Sequence, residues 1–198
     1  MTAQTATPFT PENSALLLID HQVGTMSWVG SIAFEEMKAN ALGLAKAAKA
    51  LDIPLVLTSS MEEYAQGPLL AELADIAPQE FAARIQRQGV VNAFDDKNFA
   101  DAVTATGRTH LIIAGVTNDV CTVFPVLTAL AAGHPVQVVA DAGGSPAKLA
   151  DDIAIRRMDK AGATITSTNQ LLAELAQNWT TENGGKIINI VMELLPQS

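Results

Sequence analysis

Short apolar runs, each too brief for a helix and each stopped by an acid, a threonine or a glycine, recur along this chain with helix-periodic stretches between them. Residues 14–19 end at Asp20, 55–57 at Thr58, 111–114 at Gly115 and 136–140 at Asp141. Runs this continuous read as strands buried on both faces, the condition of a parallel sheet. A third strand is expected at 81–86, which alternates more, and a sixth at 164–166; helices are expected at 34–51, 96–106, 120–132, 146–160 and 169–178. Strand alternating with helix in this way predicts an α/β fold: a three-layer, doubly wound (Rossmann-like) six-stranded parallel sheet with helices on both faces. That assigns 14–180 to the folded domain, 1–13 to a flexible lead-in without a core to bury, and 181–198 to a tail. Its apolar cluster, Ile187 to Met192, is of the kind that packs on another subunit or back on its own domain.

The 198 residues suit one such domain. A net charge of −9 and an isoelectric point near 4.7 argue against a sequence-independent grip on nucleic acid or on an anionic membrane, leaving a small molecule as the expected ligand. No apolar run approaches the ~20 residues of a membrane span. Residues 1–11 have neither a basic nor an apolar leader region, so the expected location is the cytoplasm. With one cysteine, an internal disulfide is impossible and a reducing compartment suits the thiol.

That cysteine lies in the stretch HLIIAGVTNDVCTVFP, residues 110–125. A strand arriving at Gly115 and a helix starting near Val120 put Cys121 at a helix N-terminus, where unpaired N–H groups favour an anion and lower a thiol pKa. The competing reading is a buried cysteine acting as a small hydrophobe. Ligands of open parallel sheets gather at the carboxyl ends of the strands, and three such ends carry Asp20, Arg87 and Cys121. A carboxylate can take a thiol's proton, and a guanidinium holds the carboxylate ionised. Asp20 can equally be a cap for the segment that follows. His21, next along, points away from Asp20 by strand alternation and reads as structural. The histidines are isolated from one another and Gly143-Gly144 is too weak a glycine signal for phosphate, so neither a metal nor a nucleotide cofactor is expected.

At these residues the chain resembles the isochorismatase-like cysteine hydrolases, most closely their YcaC-like branch. The resemblance spans roughly 14–179 and rests on LLLIDHQ around Asp20, RQGVVNAFDD around Arg87, LIIAGVTNDVCTVFP around Cys121, and VQVVADAGGS. It implies a catalytic set of Asp20, Arg87 and Cys121, with arginine where most of the family has lysine, as in the YcaC-like branch. Lys97, the nearest lysine, is expected on a helix facing solvent. The resemblance further implies a cis Val116–Thr117 peptide, an oxyanion hole from the Thr117 and Cys121 amides, and hydrolysis of a C–N bond through a Cys121 thioester with Asp20 as general base. Position suggests Gln22, Trp28, Asn92, Phe94 and Phe124 as pocket walls, each with a packing role as the alternative. Homo-oligomers, ring-like and possibly octameric, belong to the same implication. Two other functions stay open: the ether hydrolysis of family members that lack the cysteine, and a non-catalytic oligomeric assembly or redox protein.

Overall fold

In the computed structural model, which describes residues 8–195, six strands form one sheet in the order β3-β2-β1-β4-β5-β6, every pairing parallel. In chain order the elements are β1 (Ser14–Ile19), α1 (Val23–Ser27), α2 (Phe34–Ala50), β2 (Leu55–Ser60), α3 (Glu72–Ile76), α4 (Pro78–Ala82), β3 (Ile85–Arg87), α5 (Lys97–Ala105), β4 (His110–Gly115), α6 (Val123–Ala131), β5 (Val136–Val139), α7 (Lys148–Ala161), β6 (Thr164–Thr166), α8 (Thr168–Ala176) and α9 (Glu182–Leu194). Alternate residues of β1 serve opposite layers. Leu16 and Leu18 pack with Met37 and Leu44 of α2, Leu171 of α8 and Ile187 of α9, whereas Leu17 and Ile19 pack with Phe99 of α5, Val126 of α6 and Met158 of α7. This double covering is what the unbroken apolar runs require.

Four boundaries depart from the sequence reading. The expected strand 81–86 is mostly helix, because Pro78 starts α4 in the first turn where proline is favoured, and pairing with β2 begins only at Ile85. The helix expected from residue 120 is preceded by a π-helical turn, Asn118–Thr122, and α6 proper begins at Val123. The helix expected from residue 146 starts at Lys148. The lead-in is anchored where it is described: Phe9 is buried and its ring meets His110 edge-on at 4.9 Å. Residues 1–7 of that lead-in lie outside the described residues. The apolar tail takes the second of its two expected dispositions, packing back as α9 with Ile187, Ile190 and Val191 buried. Among the described residues no helix is long and apolar enough to cross a membrane.

The strand order reverses between β1 and β4, and a crevice opens there at the carboxyl ends of the strands.

Candidate active site

Asp20 is where β1 turns away from the sheet. Its φ of 58° lies in the left-handed region, which Asp enters more readily than most residues. Its amide donates to Thr58 O at 2.9 Å. Arg87, the last residue of β3, lies across the end of β2. Its Nε donates to Thr58 Oγ1 at 3.0 Å, one terminal nitrogen donates to Val90 O at 2.6 Å, and the other pairs with Asp20. The pair is sealed, with side chains 1% and 2% exposed.

Cys121 arrives from the other side of the crevice. After β4 the Val116–Thr117 peptide is cis, and the π-helical turn then presents the thiol to Asp20, with which it hydrogen-bonds. The Thr117 N–H donates to the sulfur. Burial pushes the Cys121 thiol well above its ordinary range and the Asp20 carboxylate pushes it further, while the Thr117 N–H and Arg87 recover only part. The thiolate expected from a helix N-terminus is therefore not the resting form. A five-residue turn supplies little dipole, and the nearest full charge is negative. Burial also raises the Asp20 carboxyl, with the Arg87 charge and hydrogen bond and the Cys121 thiol opposing it. Because a guanidinium stays charged, Arg87 keeps Asp20 in the carboxylate form that can accept the thiol proton.

The turn that carries Cys121 is braced from β5 and the loop after it. Asn118, fully buried, donates to Ala140 O at 3.2 Å and to Asp151 Oδ1 at 3.0 Å, and its own amide donates to Gly144 O at 2.7 Å. Ser145 Oγ donates to the same Asp151 oxygen at 2.8 Å. The glycine pair has its reason here: a Cβ on Gly143 would stand 2.3 Å from Gly115 O and 2.6 Å from Asn118 Oδ1.

Asp20, Arg87, Thr117 and Cys121 border one cavity of about 320 Å³, with Trp28, Met61, Val90, Val91, Asp119 and Val120 also in its wall. Of the five pocket residues suggested by position, only Trp28 lines it. Gln22 is fully buried behind the wall, where its amide brackets Ser60 and reaches Gly67 O at 2.5 Å. Asn92 caps the turn at Phe94 and donates to Thr128. Phe94 packs edge-on against Phe99, and Phe124 lies under the Arg157 guanidinium. These four fall outside because their backbones continue past the rim, and their side chains turn to caps or to the α5–α7 layer. Lys97 is 85% exposed and paired with Asp101, far from any role at the rim. Sequence reasoning missed Thr58, Met61, Val90, Val91, Asn118, Asp119 and Asp151. Thr58 left a signal, a hydroxyl ending an apolar strand. The others sit in loops whose path no periodicity reveals.

Residues 14–170 match the isochorismatase domain family. The chain is 39% identical over 173 residues to the probable hydrolase YcaC of Escherichia coli, covering 87% of this chain and 82% of that one. Among solved structures, YcaC from Pseudomonas aeruginosa, described with hexane-2,5-diol and covalent acrylamide, superposes with a TM-score of 0.88 at 39% identity, covering 94% of this chain and 92% of that one. The E. coli YcaC structure, described as an octameric hydrolase of unknown specificity, gives 0.87 at 37% identity over 95% and 89%. An Asp-Arg-Cys rim at the switch point of a β3-β2-β1-β4-β5-β6 sheet, matched over most of its length by the family and by these hydrolases, establishes that the chain belongs to the isochorismatase family.

Proposed function

We propose that this chain is a cysteine-dependent hydrolase that cleaves a C–N bond of a small molecule, an amide or carbamoyl group, at Cys121. The observation that carries the reading is the Asp20 carboxylate held between the Arg87 guanidinium and the Cys121 thiol at the border of the cavity. Asp20 takes the thiol proton as Sγ attacks the acyl carbon, so the thiolate forms only as it is used. The charge developing on the acyl oxygen meets the Thr117 and Cys121 amides. Asp20 then gives the proton to the departing nitrogen, the C–N bond breaks, and a thioester remains on Cys121. Water attacks that thioester while Asp20 accepts its proton, releasing the acid and restoring the thiol. Arg87 does not relay protons; it keeps Asp20 charged and in place. Acrylamide is a thiol-directed electrophile, so the covalent acrylamide of the P. aeruginosa relative supports a nucleophilic thiol at this position.

We further propose a homo-oligomer in the manner of the octameric E. coli relative, in a reducing compartment such as the cytoplasm. Leu149 and Ile153, one turn apart on α7, are 72% and 48% exposed and suit a subunit contact. The decisive test is Cys121→Ala against a panel of small amides and carbamoyl compounds. Turnover should fall by at least about a thousandfold while the melting temperature holds, and mass spectrometry should find an acyl group on the wild-type thiol. Full activity in the variant overturns the mechanism.

A further inference from the structure

The cavity wall also says what charge its occupant can carry. Arg87 is the one basic residue among the described residues that line it. All three of its nitrogens already donate within the protein, and its charge faces Asp20 in a pair closed to solvent. No cation is left to receive a carboxylate. Two residues before Cys121 stands a second acid, Asp119, whose Oδ1 is buried without a hydrogen-bond partner. A buried carboxylate oxygen lacking a donor is costly, and a ligand that brings an N–H relieves the cost. The rest of the wall is apolar: Trp28, Met61, Val90, Val91 and Val120.

We propose that Asp119 sets specificity at this site by accepting a hydrogen bond from a substrate N–H and repelling anions, so that the substrate class is uncharged or cationic small amides with an apolar body. This rests on the hydrolase reading above. Carboxylate-bearing molecules are rejected, isochorismate among them, which separates this chain from the ether hydrolysis that gives the family its name.

The test compares iodoacetamide with iodoacetate, two thiol reagents of nearly equal size that differ in an N–H-bearing amide against a carboxylate. Cys121 is the only cysteine, so intact-mass labelling reads that site alone. The preference for iodoacetamide should exceed that of free N-acetylcysteine by on the order of tenfold. Asp119→Asn should bring the ratio back toward the free-thiol value by accelerating iodoacetate more than iodoacetamide. Raising the salt on the wild-type protein should narrow the ratio as well, independently of whether the variant folds. A wild-type ratio equal to the free thiol's, or one favouring iodoacetate, overturns the proposal and leaves the cysteine mechanism standing. Failure of both reagents on the folded protein, with normal labelling after denaturation, overturns the mechanism and this proposal together.

Discussion

The two halves of the sheet meet at the crevice and bring different materials to it. The β1-β2-β3 half supplies side-chain charge: Asp20 and Arg87, buried together and tied by Thr58. The β4-β5-β6 half supplies backbone placement: a cis peptide, a π-helical turn and amides aimed by Asn118, Ser145 and Asp151. Charge of this kind is costly to disturb, because burial penalises any partner left alone. Backbone placement is spread over several moderate hydrogen bonds, so it should yield gradually. Damage to the first half should therefore fall heavily on stability as well as activity, and damage to the second should fall mainly on activity.

The largest effect is expected from Arg87→Ala. It leaves Asp20 buried beside no cation, and breaking such a pair from one side costs about 3–5 kcal/mol. Urea unfolding should show that loss, together with loss of turnover, since Asp20 then favours the protonated form that cannot accept the thiol proton. A loss under about 1 kcal/mol would mean that the pair is far less desolvated than its side-chain exposures of 1% and 2% indicate.

A second break uses the strut between the halves. His21 follows Asp20 but points behind the rim, where its Nε2–H donates to Ala142 O at 2.8 Å. Burial is the largest influence on the ring and lowers its pKa from 6.5 to about 4, with the Ala142 bond opposing. The unfolded chain therefore takes up a proton below pH 6.5 that the folded chain refuses until about pH 4. Stability is full above pH 6.5 and falls as pH drops toward 4, by up to about 3 kcal/mol. Denaturant midpoints of wild type and His21→Gln, compared from pH 7 to pH 4.5, isolate this slope because other titrating groups cancel in the difference. Parallel curves would remove His21 as the source.

How much of this was legible follows the same division. The charged half was readable because strand ends are marked in the sequence: apolar runs stop at Asp20 and at Gly115, and a short run stops at Arg87. Parallel topology then brings those ends to one edge. The mistakes came where the chain leaves the strands. Asn92, Phe94 and Phe124 are close in sequence to Arg87 or Cys121, but closeness in sequence does not set direction once a turn intervenes, and all three face away from the cavity. The expected acidic thiol failed for a related reason. Its argument counted the helix end and omitted the carboxylate that the same topology delivers to the sulfur, and a full charge in contact outweighs partial charges on a short turn.

The smallest effect on stability, and the sharpest test of the contrast, is Asp151→Ala. The Asp151 carboxylate touches neither the Asp20–Arg87 pair nor the thiol; one of its oxygens accepts from Asn118 and from Ser145, both fully buried. Removing it orphans the Ser145 hydroxyl and half the donors of the Asn118 amide, which keeps Ala140 O. That should cost about 1–2 kcal/mol. Asn118 directly follows Thr117, so a loosened Asn118 lets the Thr117 amide drift from the acyl oxygen. Because the donor is displaced and not deleted, kcat should fall by roughly tenfold, less than the hundredfold or more that loss of an oxyanion donor costs, with KM nearly unchanged. Asp151→Asn keeps one acceptor oxygen and should recover much of kcat. A variant that lost stability on the scale of Arg87→Ala, or raised KM with kcat intact, would show the second half holding its place by charge after all, and the division between the halves would dissolve.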